Sequence, residues 1–205
     1  MKLFRIALPA VLSAAVFAAS ALPAAAEKLS MAEISTYLNA IKSAQTRFVQ
    51  VNADGSQSTG TVFIKRPGRA RFEYDPPVDA LVMAGGQQVA IFDPKSNAGP
   101  TQYPLRRTPL NLILARRIDL SQARMVVGHG EEDGMTTITA QDPKNPEYGT
   151  IRLFFSHEPV TLRQWIITDG AGDQTKVILG DFDRDVELGS AMFSIPTETR
   201  KRLGE

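Results

Sequence analysis

The spacing of apolar residues changes twice along this chain, and each change marks a boundary. Lys2 and Arg5 precede an apolar stretch from Ile6 to Leu22 and the small residues Ala24 and Ala26, the pattern of a cleavable secretory leader over residues 1–26. From Ser30 to Ala44 the period is helical: Ser30 stands as N-cap, Glu33 occupies the capping-box position, and Ile34, Leu38 and Ile41 form one stripe. From Gln45 the period is two, with Phe48 and Gln50, then Val62 and Ile64 after the turn signal Ala53-Asp-Gly-Ser56, then Ala70, Phe72 and Tyr74. Pro76-Pro77 interrupts pairing before Val78 to Met83, and Gly85-Gly86 turns the chain into Val89 to Phe92. Thr101 to Leu105 predicts a short strand, and Thr108 to Ala115 a helix with Thr108 as N-cap and Pro109 at its first position, apolar around most of its circumference. Further strands are predicted over Ala123–His129, Met135–Gln141, Thr150–Phe155, Thr161–Thr168 and Thr175–Phe182. Many short strands with few helices predict an antiparallel sheet curled around a helical plug, followed by a charged, frayed tail over Thr199–Glu205.

Composition narrows the chemistry. There is no cysteine, so neither disulfides nor a lipidated cysteine anchors the mature chain, residues 27–205, whose length suits one domain with its own core. After the leader no stretch is long and apolar enough to cross a membrane as a helix. Loss of Lys2 and Arg5 with the leader turns the formal net charge of +1 slightly negative, which excludes a general electrostatic attraction to nucleic acid. The two histidines, His129 and His157, give little to build on. Gly128-His-Gly-Glu-Glu-Asp-Gly134 reads as a hairpin turn rather than a metal site, and no phosphate-binding glycine motif follows. Ser156 and His157 are adjacent and so point to opposite faces of a strand. No enzyme, metal or cofactor is predicted.

Arg66 is the most pointed single residue. In Gly60-Thr-Val-Phe-Ile-Lys-Arg-Pro67 alternation puts it on the same face as Val62 and Ile64, at the end of an apolar row. A guanidinium there needs acceptors: it either pairs with Glu73 or Asp75 at the strand end, or reaches groups that close something over the face. The basic residues Lys65, Arg69 and Arg71 read as a solvated face or, as the alternative, a docking surface for a partner, and Trp165 as a packed core anchor.

Phe48-Val-Gln50, the strand Gly60 to Pro67, Arg71-Phe-Glu-Tyr-Asp-Pro-Pro77, the hairpin from Leu81-Val to Phe92-Asp93, and Thr108-Pro-Leu to Leu114-Ala-Arg116 occur here in one order. Together they resemble the outer-membrane lipoprotein carrier protein family, the periplasmic LolA chaperones; the second half adds mainly strand rhythm and Phe193-Ser-Ile-Pro196. The resemblance implies an incomplete antiparallel β-barrel with helices lying as a lid over an apolar cavity. It implies a periplasmic, monomeric carrier, without covalent chemistry, of acylated lipoproteins from an inner-membrane ATP-driven exporter to an outer-membrane receptor or directly to the outer membrane. The lid-locking arginine falls on Arg66, and the acyl cavity on Phe48, Val62, Ile64, Phe72, Tyr74, Leu81, Met83, Phe92, Leu110, Ile113, Leu114 and Phe155. A periplasmic lipid- or lipoprotein-sensing regulator sharing the half-barrel is the alternative. Two departures stand out: Arg106-Arg107 and Arg116-Arg117 frame the lid segment with positive charge, and little chain follows Pro196 to supply an extra C-terminal strand.

Overall fold

A computed structural model describes residues 28–94, 99–108 and 110–204. The leader, Pro109 and Glu205 lie outside the described residues. Helix α1 (Met31–Ala40) starts in a reciprocal capping box: Ser30 Oγ accepts from the Glu33 N–H at 3.2 Å, and the Glu33 carboxylate accepts from the Ser30 N–H at 2.8 Å. It ends earlier than its apolar stripe implies, because from Ser43 the backbone pairs in the sheet and Ala44 faces Ile64.

Six strands follow as successive antiparallel hairpins: β1 (Ser43–Val51), β2 (Gln57–Lys65), β3 (Arg69–Tyr74), β4 (Leu81–Gly85), β5 (Gln88–Phe92) and β6 (Thr101–Pro104). After the short helix α2 (Asn111–Leu114) come β7 (Val126–Glu132), β8 (Met135–Gln141), β9 (Thr150–Ser156), β10 (Thr161–Thr168), β11 (Gln174–Leu179), the two-residue β12 (Asp183–Arg184) and helix α3 (Ile195–Leu203). The sheet order is β6-β5-β4-β3-β2-β1-β11-β10-β9-β8-β7, with β12 also against β1. Antiparallel pairing of β1 with β11 joins the two meanders, while β6 and β7 remain the outer edges. The architecture is the antiparallel sheet with helices that the strand pattern predicts, left unclosed as the family resemblance implies.

One face of this sheet carries the main core, where α1 and α2 pack on Phe48, Val62, Ile64, Phe72, Ile138, Leu153 and Phe155. The opposite face of β4 and β5 carries a second, smaller core of Leu81, Met83, Ala90 and Phe92 against Ile195 of α3. Cross-strand register makes the division plain: Phe72 pairs with Val82, so Val82 shares its inner face while Leu81 and Met83 point away. The cavity expectation for Leu81, Met83 and Phe92 is therefore corrected. Leu81-Val-Met-Ala84 is apolar at every position because both faces are covered here, and alternation cannot say which residues face the cavity.

Three other expectations change. The helix over Thr108–Ala115 is reduced to a 3-10 turn at Leu105–Arg107 and the four residues of α2. Thr108 does not cap it, because its Oγ1 turns back and donates to the Leu105 carbonyl at 2.9 Å. His129 lies inside β7 opposite Ile138, and the turn comes later at Asp133-Gly134, both at positive φ. The tail is not frayed through Leu203: Ser194 Oγ caps α3 by accepting from the Thr197 N–H at 3.3 Å, and Gly204 ends it in the left-handed region.

The predicted basic face holds that C-terminal segment. Lys65 Nζ donates to the Leu188 carbonyl, Arg69 Nη1 to Ser190 Oγ at 3.1 Å, and Arg71 Nη1 to the Met192 carbonyl and Glu198 Oε2, each at 3.1 Å. Arg71 is buried rather than solvated. Burial pushes the Glu198 carboxyl up, but hydrogen bonds from Arg202 and Arg71 outweigh it and hold the group below its ordinary range.

Candidate functional site

Between the inner face of the sheet and the segment carrying α2 lies a cavity of about 250 Å³. Its wall is apolar: Phe48 from β1, Phe72 and Tyr74 from β3, Val82 from β4, Ile151 from β9, Trp165 and Ile167 from β10 and Val177 from β11, with Leu110 on the α2 side. The aromatic rings meet edge to face. Phe48 stands 5.1 Å from Tyr74 and 6.2 Å from Phe72, and Phe72 stands 6.0 Å from Trp165. Gly60 makes room for this arrangement, since a Cβ there would lie 2.6 Å from the Phe48 ring and 2.2 Å from the Glu73 carbonyl oxygen. Burial raises the pKa of the Tyr74 phenol, which donates to Gln50 Oε1 at 2.6 Å. At the mouth stand Arg107, Asp142 and Tyr148, the last 70% exposed.

Of the residues predicted for the cavity, Phe48, Phe72, Tyr74 and Leu110 line it. Val62, Ile64, Ile113, Leu114 and Phe155 belong to the same core but lie away from the lining, packed with α1; Phe155 meets Tyr37 edge to face at 6.2 Å. Val82, Ile151 and Val177 are missed by residue-level reading, and Trp165 contributes a wall rather than a solid anchor. Their only signal is strand parity, which becomes decisive once the register between β9, β10 and β11 is known.

Arg66 follows β2 immediately, in the turn, and its own N–H continues the ladder to the Lys42 carbonyl at 2.8 Å. Its guanidinium reaches neither Glu73, which accepts from Arg71, nor Asp75, which pairs with Arg47. Nη1 donates to the carbonyls of Leu38 and Ile41 (3.3 Å for the latter), and Nη2 to those of Ala115 (2.6 Å) and Arg116 (3.5 Å) and to Asn39 Oδ1 (3.2 Å). These carbonyls close the C-terminal ends of α1 and α2; the Leu38 carbonyl also accepts from the Ile41 N–H at 3.3 Å, so Arg66 adds a second donor there. The cation sits at the negative end of the α1 dipole. Partial burial lowers the Arg66 pKa, and Nε is buried without a partner among the described residues.

Two polar residues of α1 complete the fastening, and sequence reading overlooks both. Asn39 clasps Ile118 through its side chain, donating to the carbonyl at 2.7 Å and accepting from the N–H at 3.0 Å. One helical turn earlier, Ser35 Oγ accepts from the Leu120 N–H at 3.0 Å. Their spacing of four on a helix that otherwise packs inward is the signal that could have found them.

The histidines are spent on the N-terminal segment. His129 Nε2 meets the Leu29 carbonyl at 2.7 Å, and His157 Nε2 meets Thr136 Oγ1 at 2.9 Å, the same hydroxyl that accepts from the Leu29 N–H. Ser156 Oγ donates to the Pro159 carbonyl at 2.8 Å, so it forms no nucleophile–base pair with His157. Among the described residues no group of three or more histidines and carboxylates is placed to hold a metal.

An outer-membrane lipoprotein carrier protein of Azotobacter vinelandii is 29% identical over 202 residues, covering 94% of each chain. One of Pseudomonas aeruginosa is 25% identical over 189 residues, covering 88% of this chain and 90% of its own. Among solved structures, a LolA superfamily protein from Nitrosomonas europaea aligns at 13% identity with a TM-score of 0.43, over 81% of this chain and 98% of its own. A putative outer membrane lipoprotein-sorting protein domain from Vibrio parahaemolyticus aligns at 10% identity with a TM-score of 0.47, over 83% of this chain and 97% of its own. The family model described as Outer membrane lipoprotein carrier protein LolA matches residues 39–196. Since that match runs from the end of α1 through all twelve strands to the start of α3, the chain belongs to the outer membrane lipoprotein carrier protein LolA family.

Proposed function

We propose that this protein is a periplasmic chaperone that shields the acyl chains of lipoproteins in the aromatic-walled cavity and carries them from the inner to the outer membrane. Its relatives in Azotobacter vinelandii and Pseudomonas aeruginosa, both outer-membrane lipoprotein carrier proteins, support the cargo class. The observation that carries the reading is a mismatch of chemistries: the roof over the cavity is apolar, but what fastens it is a small set of hydrogen bonds from Arg66, Asn39 and Ser35. Lifting such a roof also uncovers apolar side chains of the main core, among them Leu112, Ile113 and Leu114, which an acyl chain then covers again. Hydrogen bonds to a charged donor contribute about 1.5–3 kcal/mol each net, and every acyl CH₂ taken from water returns about 0.8 kcal/mol. Opening the five Arg66 bonds is therefore offset only by on the order of ten or more methylenes, so a long chain binds and a short one does not.

Size supports an opening step. A cavity of about 250 Å³ falls below the roughly 300–1,000 Å³ of ordinary small-molecule sites, so cargo enters only as the segment carrying α2 lifts. Arg66 is the lock of the closed, empty state. Phe48, Phe72, Tyr74 and Leu110 meet the first methylenes, and Val62, Ile64, Ile113, Leu114 and Phe155 are uncovered as the roof moves. Because relocking recovers the Arg66 bonds, hand-over proceeds by differential affinity without ATP at this protein. In this reading residues 1–26 direct export and residues 27–205 act as one monomeric domain. It receives cargo from an ATP-driven exporter and yields it to a receptor or to the outer membrane itself.

The test is native mass spectrometry of the mature protein after incubation with spheroplasts that carry an active exporter. A triacylated lipoprotein released as a soluble adduct is expected; phospholipid alone, or no adduct, would refute the carrier role.

A further inference from the structure

We propose that the mouth of the cavity contains a second, polar subsite for an anionic group tethered to an acyl chain, namely the phosphate of an anionic glycerophospholipid. The inference rests on the acyl-cavity reading above and extends it to a ligand class of different polarity. A separate space of about 570 Å³ is lined by Arg106, Arg107, Met125, Asp142, Lys144 and Asn145. It shares Arg107 and Asp142 with the apolar cavity, so the two spaces adjoin at the mouth.

The charges in this space are unbalanced. Three cations face one carboxylate, which already attracts Arg107 and whose oxygens are bonded: Asp142 Oδ1 accepts from the Lys144 N–H and Oδ2 from Asn145 Nδ2, both at 2.9 Å, so Arg106 and Lys144 stand without a carboxylate among the described residues. The side chains of Arg106, Arg107 and Lys144 donate to no group among the described residues. Arg47, Arg71, Arg152, Arg163 and Arg202 hold carboxylates; among the described residues Arg116, Arg117, Arg124 and Arg200 are open like Arg106 and Arg107, but none of those four lines the space that adjoins the apolar cavity. Guanidinium groups left open beside an apolar chamber match a phosphate in charge and in fork geometry. Exposed cations alone bind a free anion weakly. The acyl chain supplies affinity, and the cationic rim supplies discrimination. An uncharged acylglycerol fills the chamber and leaves the rim without a partner.

Trp165, the sole tryptophan and part of the cavity wall, reports binding directly. The mature protein is titrated at low salt with monomeric 1-palmitoyl-lysophosphatidylglycerol and, separately, with 1-monopalmitoylglycerol. The anionic lipid is expected to bind about tenfold more tightly, with the advantage shrinking as salt rises. In Arg106→Gln/Lys144→Gln, which alters two exposed residues outside the acyl lining, the advantage falls toward parity while monopalmitoylglycerol binds as before. Equal affinities in the wild type, or a preference that survives the double substitution, would overturn the subsite alone. Displacement of the anionic lipid by inorganic phosphate at matched concentration would make this a free-anion site and overturn the tethered assignment. If neither lipid binds the wild type, the acyl-cavity reading itself falls.

Discussion

Arg66 spreads a planar fork across two helix ends, and its replaceability follows from that geometry. Leucine at this position leaves the Ile41 and Ala115 carbonyls without their donor and the Leu38 carbonyl with only the Ile41 N–H, and lysine offers one compact charge that cannot span both helices. Arg66→Leu is expected to lose about 2 kcal/mol in the empty protein, lowering Tm by about 4–8 °C in calorimetry of a domain this size. It should retain lipid binding and slow transfer to acceptor membranes, and Arg66→Lys should not restore transfer. Transfer by Arg66→Leu at the wild-type rate would contradict the lock. Gly60 is constrained from the other side of the cavity: Gly60→Ala drives a methyl group into the Phe48 ring and the Glu73 carbonyl, and a destabilisation of about 1–3 kcal/mol is expected by urea unfolding. Asp75 sets an acid limit. Hydrogen bonds from Arg47 and then Thr59 hold its carboxyl down to about 2, so the folded state favours the ionised form. The resulting stability is fully present above the ordinary carboxylate range and is lost as pH falls toward 2. Between pH 4 and pH 2 Asp75→Asn should therefore lose less stability than the wild type; parallel losses would remove Asp75 from the acid response.

Elements differ in how far the sequence alone describes them, for physical reasons. Turn signals at both ends place β8 and β10 to the residue, even though a register shift at Leu162/Gln164 breaks the alternation of β10 and buries the adjacent Trp165 and Ile166 together. The capping box likewise places the start of α1, since Ser30 and Glu33 satisfy each other locally. Its end is not local: pairing of β1 with β2 claims Ser43 and Ala44. Helix α2 is overread for the converse reason, as a capping residue that donates backwards does not nucleate a helix. The role of α3 is hidden because its ordering comes from Arg71, far away in the chain, which meets Glu198 at 3.1 Å with both side chains about nine-tenths buried. Breaking that pair from one side, as Arg71→Met or as Glu198→Leu, should cost about 3–5 kcal/mol, while the double variant should recover part of the loss. A double-mutant cycle by chemical denaturation measures this, and strict additivity would show that the pair does not hold α3.

At the scale of the molecule, the open sheet divides its labour between two faces. One face is sealed by α3 over Leu81, Met83 and Phe92, and the other packs α1 and α2 on the main core, with the chamber beside them reached by Leu110 of the segment before α2. Sequence patterning sees apolar rows on both faces but not which is sealed, so it merges three residues of the sealed core with the chamber. Arg66 is legible because a cation ending an apolar row demands acceptors, whereas Asn39 and Ser35 resemble ordinary helix-surface residues until the loop they hold is in view. The account stands on acyl chains entering this chamber, and Trp165 lies in its wall. The decisive measurement is Trp165 emission during titration with a triacylated lipopeptide carrying dibrominated acyl chains, set beside the unbrominated compound. Saturable quenching by the brominated lipopeptide alone is predicted, because contact with bromine requires the chains to lie against the ring. Lipopeptide that binds the protein yet leaves Trp165 unquenched would place the chains elsewhere and contradict the account.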